Sequence, residues 1–195
     1  MTLTADFPVF AFTGDRLLAR GPASDVVPAV KMAADAGEGV LTFDAVTGRV
    51  IDLDLRGAVE DVVARLTPVP EAERRGPGRP KLGVTPREVT LLPRHWDWLS
   101  AQPGGASVAL RKLVEGALRE AEGPDRARRA KEATYRFITT MAGDMPGYEE
   151  ATRMLFAGDW TAFDAAVKGW PEGVRETARN LSAGAWRNGA GALRT

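Results

Sequence analysis

The feature that most constrains the fold is the segment at residues 67–86, "TPVPEAERRGPGRPKLGVTP". Its prolines and glycines follow one another too closely for a helix or a strand to form, and the prolines keep it extended. Regular structure therefore has to form on either side of this segment. We predict a small α+β domain at residues 1–66, a basic linker arm at 67–86, a strand-helix-helix unit at 87–120 and a helical region at 121–195.

The first region alternates between strand and helix patterns. Residues 7–20 and 39–55 each hold two apolar runs around a glycine-containing turn, which predicts two hairpins. Apolar residues at helical spacing follow each hairpin, at residues 24–36 and 57–66. The sequence thus predicts a ββαββα unit, and it assigns the whole chain to the α+β class.

The region at 121–195 is predicted to be all-helical, with a first helix that begins at Pro124 and shorter helices separated by glycines. Four apolar side chains of the first helix repeat at helical spacing and predict one buried face: Ala133, Phe137, Ile138 and Met141. Further on, the aromatic rings of Trp160, Phe163 and Trp170 have the chemistry to stack on nucleotide bases. Their pattern favours packing in a core.

The composition excludes several kinds of site. The chain has no cysteine, so disulfides, thiolate metal sites and cysteine nucleophiles are ruled out. Its single histidine, His95, leaves no histidine-rich zinc site, and no glycine-serine elbow provides the serine of a catalytic triad. An enzyme would have to combine His95 with acids such as Asp144, Glu149, Glu150 or Asp159, whose spacing matches no known constellation. We therefore predict no enzymatic activity, no metal and no cofactor.

The distribution of apolar residues and the absence of cysteine indicate the cellular compartment. No apolar run approaches the ~20 residues that span a bilayer, and the N-terminal "MTLTADFPVFAF" has no basic leader before its apolar part. The absence of cysteine agrees with a reducing compartment. We expect a cytoplasmic protein without a membrane partner.

The net charge of zero hides an uneven distribution. Residues 1–70 hold 6 basic and 10 acidic side chains (−4), residues 71–120 hold 9 and 6 (+3), and residues 121–195 hold 11 and 10 (+1). Most of the central excess comes from four cations: Arg74, Arg75, Arg79 and Lys81. A basic block of this kind usually serves binding to a partner rather than folding, although it is also compatible with a solvated linker.

The basic block resembles the AT-hook, a short DNA-binding motif. In "RRGPGRPK" the core of that motif is matched by Gly78, Arg79 and Pro80, with Lys81 after it and Arg74 and Arg75 before it. The resemblance implies that Arg79 enters the narrow, strongly negative minor groove of A·T-rich DNA. Glycine avoids collision with the groove walls, and proline keeps the backbone extended. Pro77 stands where the strongest form of the motif has an arginine.

The segment after the arm resembles the ribbon-helix-helix fold of bacterial repressors. A strand-like run, "REVTLLP", is followed by a short helix pattern, "RHWDWLSAQ", a "PGG" break and a second helix pattern, "ASVALRKLVEGAL", with Ser107 as its expected cap. In that family the strand pairs with the same strand of a second subunit, and the two-stranded ribbon enters the major groove. The start of the second helix binds a phosphate, which assigns that role to Ser107.

The same resemblance implies further contacts with DNA. Alternation before Pro93 directs Arg87, Val89 and Leu91 towards the groove, and Arg94 and Arg111 are placed to reach phosphates. Valine and leucine contact only thymine methyl groups, so recognition by DNA shape and backbone is expected. The alternatives are a ribbon that serves dimerisation alone and a monomeric helical hairpin.

The whole chain is also similar to a bacterial family of uncharacterised proteins. The similarity rests on "FDAVTGRVIDLDLRG", "RGPGRPKLGVTPREVTLLPRHWDWL", "GGASVALRKLVE" and "MAGDMPGYEEATRMLFAGD". It implies no activity, so the functional hypothesis depends on the residues themselves. The sequence favours a homodimeric DNA-binding protein, of repressor or nucleoid-associated type, with double-stranded and A·T-rich DNA as partner. The alternative is a protein-protein interaction module that binds no nucleic acid.

Overall fold

A computed structural model describes residues 3–66, 85 and 87–186. The first region forms the predicted ββαββα unit: β1 (Pro8–Thr13), β2 (Arg16–Pro22), α1 (Ala23–Asp35), β3 (Val40–Asp44), β4 (Val50–Ile51) and α2 (Val59–Leu66). The four strands make one antiparallel sheet in the order β2-β1-β3-β4. Strand β4 is shorter than the alternation to residue 55 predicts, because only Val50 and Ile51 pair with β3.

The remaining elements are helices: α3 (Pro93–Ser100), α4 (Gly105–Ala142), α5 (Tyr148–Ala157), α6 (Trp160–Ala166) and α7 (Glu172–Trp186). The α+β class is therefore confirmed. None of the helices in the described ranges has both the length and the apolar character needed to cross a membrane.

Helix α4 differs from the prediction in one respect. The sequence predicts a new helix from Pro124, whereas α4 runs through Pro124 without a break. Proline removes one backbone hydrogen bond from a helix interior but does not always end the helix. Here the following turns are supported by ion pairs, since Arg128 contacts both Asp125 at 3.3 Å and Glu132 at 3.2 Å.

The chain divides into two compact units. The first unit comprises Met1–Pro68 and Gly123–Thr195, and the second comprises Val69–Glu122. The N-terminal sheet and the C-terminal helices, which lie far apart in the sequence, therefore belong to one unit. The second unit holds α3 and the first half of α4.

Side-chain alternation along β1 explains how the first unit is layered. Val9 and Ala11 pack with α1 and α2 on one face of the sheet, while Phe10 and Phe12 pack with the C-terminal helices on the other. Successive side chains of a strand point to opposite faces, so this apolar strand lies between two cores. The sheet is thus the middle layer of the unit.

Aromatic rings fill the core between the sheet and the C-terminal helices. The ring of Phe137 in α4 lies 5.5 Å from Phe10, 5.6 Å from Phe12 and 5.4 Å from Phe43, measured between centroids. Phe163 and Trp170 are buried in the same core, and the indole Nε1 of Trp170 donates to the Pro146 carbonyl oxygen at 2.9 Å. Core packing rather than base stacking is therefore confirmed for these two side chains.

The β3–β4 turn connects the sheet to α4. The Asp44 carboxylate accepts hydrogen bonds from the backbone N–H groups of Val46 at 2.7 Å and Thr47 at 3.1 Å. The guanidinium of Arg136 in α4 donates to the Thr47 carbonyl oxygen at 3.0 Å. The turn in the "FDAVTG" motif is therefore stabilised by hydrogen bonds to its own aspartate, and it is also hydrogen-bonded to α4.

Candidate nucleic-acid interface

Residues 87–92 form a largely exposed segment without regular secondary structure in front of α3. The strand predicted here has no pairing partner within the described part of a single chain. An extended segment becomes a strand only when a neighbour accepts and donates its backbone hydrogen bonds. In the ribbon-helix-helix arrangement that neighbour is the same segment of a second copy. The side chains of Val89 and Leu92 are exposed, as are those of Arg87 and Thr90.

Helix α3 begins directly after this segment. Leu92 is extended (φ −67°, ψ 151°), and Pro93 is the first helical residue, a position that suits proline because its missing N–H would have no partner there. The Leu92 carbonyl oxygen accepts from the backbone N–H groups of His95 at 2.8 Å and Trp96 at 3.3 Å. Arg94 is exposed in the first turn, so its guanidinium is accessible to a ligand.

The start of α4 depends on two glycines. Gly104 and Gly105 have φ values of +87° and +75°, a backbone conformation that other residues rarely adopt. The helix begins at Gly105, so Ser107 is an exposed residue of the first turn. The prediction that Ser107 precedes and caps the helix is therefore wrong, because the glycine pair turns the chain into the helix two residues earlier. Backbone N–H groups of a first helical turn have no partner within the helix.

Ser107 and Arg111 lie one turn apart at this end of α4. The guanidinium Nε of Arg111 donates to the Ser107 carbonyl oxygen at 3.2 Å, which holds the cation beside the first turn. Four of the predicted DNA-binding side chains besides Ser107 are thus exposed in the second unit: Arg87, Val89, Arg94 and Arg111. The arm residues lie outside the described ranges: Arg74, Arg75, Gly78, Arg79, Pro80 and Lys81.

Two of the four acids considered for catalysis have structural contacts. The Asp159 carboxylate accepts from the Ala162 backbone N–H at 3.0 Å and caps α6, while Glu150 forms an ion pair with Arg153. His95 is exposed on α3, in the second unit. Within residues 3–66 and 87–186, no group of three or more histidine or acidic side chains is arranged to hold a metal ion.

An ion-pair cluster of the first unit joins α6 to α7. The guanidinium of Arg179 donates from Nε to Asp164 at 2.5 Å and from Nη1 to Glu176 at 2.9 Å. The hydrogen bond from Arg179 holds the pKa of Asp164 below its ordinary value. This pair stabilises the packing of two helices and lies outside the candidate interface.

Sequence reasoning missed an exposed apolar stripe on the first half of α4. Leu113, Val114 and Leu118 are exposed. The sequence pattern predicts only that they lie on the apolar faces of a packed helix. The signal that could have revealed the stripe is its length: apolar residues recur at intervals of three and four as far as Ala121. A two-helix hairpin cannot cover so long a face.

A family model described as an uncharacterised protein conserved in bacteria, DUF2239, matches residues 8–182. The chain belongs to this family. The DUF2239 match includes the sheet, the arm, α3 and most of α7, so it covers parts of both units. Neither the curated proteins nor the solved structures contain a match to the chain.

Proposed function

We propose that this protein is a homodimeric DNA-binding protein of repressor or nucleoid-associated type, which acts on double-stranded and A·T-rich DNA in the cytoplasm. The observation that supports this most is the largely exposed segment at residues 87–92, which has no regular secondary structure in the single chain and leads directly into α3 and α4. Paired with its counterpart in a second copy, this segment gives a two-stranded ribbon of the size that a major groove admits.

The ribbon contacts DNA through one face. Arg87, Val89 and Leu91 share that face, because side chains of a strand alternate. Arg87 supplies a positive charge and a hydrogen-bond donor, while the two apolar side chains contact thymine methyl groups. Such a face makes few base-specific contacts, so the shape and deformability of the DNA account for much of the preference for A·T-rich duplexes.

Phosphates bind at the start of α4. A helix of this length presents partnerless backbone N–H groups and a partial positive charge at its N-terminus. The positive-φ pair Gly104 and Gly105 leaves this approach open, since neither residue carries a side chain, and the exposed Ser107 hydroxyl adds a donor. Arg94 and Arg111 add cations that are accessible to the DNA backbone.

The arm acts in the neighbouring minor groove. Arg87 lies eight positions after Arg79, a stretch of chain that reaches ~28 Å when fully extended. Half a turn of B-DNA, about 17 Å, separates adjacent grooves on one side of the duplex. The arm is therefore long enough for Arg79 to enter a minor groove while the ribbon occupies the major groove beside it.

The test is a gel-shift titration of the full chain at low salt, on an A·T-rich and a G·C-rich duplex of equal length. The parent binds the A·T-rich duplex more tightly, and Arg79→Ala lowers both the affinity and this preference. Arg153→Ala, which removes a cation from α5, leaves both unchanged. Equal affinity of Arg79→Ala and the parent for the A·T-rich duplex would contradict the role of the arm.

The second candidate function is a protein-protein interaction module without nucleic-acid binding. It is favoured by the exposed apolar side chains of the second unit, among them Trp96 and Trp98 on α3. The same titration separates the two functions. Absence of any shift at micromolar protein concentration and low salt supports the interaction module and excludes the DNA-binding proposal.

A further inference from the structure

The first half of α4 carries an apolar stripe that is exposed to solvent. Leu113, Val114 and Leu118 retain 52%, 54% and 59% of their accessible surface. Leu110, Ala117 and Ala121 continue the same pattern at intervals of three and four residues. At 100° per residue these six side chains fall within an arc of about 140°, which is the width of a face that packs against another element.

The described part of the second unit has no core that accounts for this stripe. Among its described residues the buried apolar side chains are Leu99 and Ala109. A helical hairpin with so small a core is not expected to be stable alone, and it usually gains a second copy or another staple. The unit also exposes Trp96 and Trp98 of α3.

The charged side chains beside the stripe indicate which molecule covers it. Arg111 and Glu122 lie on the same flank of the stripe, about 20° apart around the helix, at opposite ends of it. Both side chains are exposed. When two copies of one helix pack antiparallel about a two-fold axis, the same flank of each lies side by side, and every contact occurs twice. Arg111 of each copy then faces Glu122 of the other.

We infer that α4 binds the α4 helix of a second copy in antiparallel orientation, through the stripe from Leu110 to Ala121, with reciprocal Arg111–Glu122 pairs at its two ends. This deepens the proposed function, because it assigns the surface that holds the two copies together apart from the ribbon.

The first experiment measures self-association of the full chain without DNA, by sedimentation velocity between 1 and 100 µM. The parent is a dimer, and Leu118→Asp raises the dissociation constant at least 100-fold, because a carboxylate in the stripe loses its hydration. Thermal melting of the first unit is unchanged, since Leu118 lies outside that unit. A parent chain that is monomeric at 100 µM would overturn the inference.

The second experiment is a charge exchange that does not depend on disrupting apolar packing. Arg111→Glu and Glu122→Arg each weaken dimerisation about fivefold or more, and the double exchange restores it. Arg119→Glu, the same change on the opposite side of α4, has no effect. Failure of the double variant to recover would refute the antiparallel pairing.

The two proposals fail separately. A dimer that gives the charge-exchange pattern but binds no duplex leaves this inference intact and removes the DNA-binding function. A dimer that binds A·T-rich DNA but does not respond to the charge exchange leaves the DNA-binding function intact and removes this inference.

Discussion

The carbonyl oxygen of Ala133 in α4 lies 2.1 Å from the position that a Cβ atom on Gly48 would occupy. Gly48 therefore allows the β3–β4 turn to approach the backbone of a helix more closely than any side chain would permit. Its φ of +66° also places it in the left-handed region, where L-residues are strained. This contact fixes the position of the N-terminal sheet on the C-terminal helices.

We predict that Gly48→Ala destabilises the first unit by about 3 kcal/mol, which combines left-handed strain with a steric clash against a backbone that cannot move aside. For a chain of this size the melting temperature falls by about 10 °C. Differential scanning calorimetry or thermal circular dichroism measures the change.

Gly37→Ala is the matched control. Gly37 has a φ of +81°, but nothing lies within 4 Å of its missing Cβ, so the substitution adds strain without a clash. Its expected cost is about 1 kcal/mol. Equal melting temperatures for the two variants would show that the close approach to Ala133 does not contribute to stability.

The ion pair between Asp164 and Arg179 predicts a pH-dependent contribution to stability. Because its pKa is lowered in the folded state, Asp164 stabilises the fold above its ordinary pKa of about 3.9, and this contribution disappears as the pH falls through the lowered value. Both side chains are partly exposed, so screening limits the effect.

We therefore expect Asp164→Asn to lose about 1 kcal/mol at pH 7. The difference between parent and variant narrows as the pH falls below about 4, because Asp164 takes up its proton in the unfolded chain before it does so in the folded chain. Urea unfolding at pH 7 and pH 3 measures both values, and Asp144→Asn, a substitution in an exposed loop, is the control. A difference that is constant with pH would contradict the ionic origin of the effect.

Sequence patterns predicted the local elements of the first region because they depend on neighbouring residues. Period-two alternation and glycine-containing turns identify both hairpins, and the alternation of Val9, Phe10, Ala11 and Phe12 identifies a strand with two apolar faces. The sequence does not reveal that Phe137 of a distant helix completes the phenylalanine core. A local sequence pattern identifies an apolar face, but it does not specify the element against which that face packs. The continuation of α4 through Pro124 was missed for a related reason: proline normally ends a helix, and only the surrounding ion pairs show that this one continues.

The candidate interface was predictable in part. The order of the segment at residues 87–92, α3, the glycine break and α4 follows from breakers and spacing, and the structure places α3 and α4 accordingly. The start of α4 at Gly105 was not predictable from a preference for serine caps, since it depends on two successive left-handed glycines. The proposed pairing of residues 87–92 requires a second chain, so one chain cannot display it.

The proposed DNA contacts lead to a quantitative prediction about salt. Each phosphate neutralised by a cation lowers the slope of log Kobs against log[salt] by about 0.9 on B-DNA. In a dimer each substitution removes two cations, so Arg87→Ala and Arg94→Ala should each make the slope less negative by about 1.8. Arg153→Ala in α5 should leave it unaltered. Fluorescence anisotropy with a labelled A·T-rich duplex, from 50 to 200 mM salt, provides the slopes. If the Arg87 and Arg94 variants keep the parent slope while losing affinity, these side chains act on the dimer rather than on the DNA backbone.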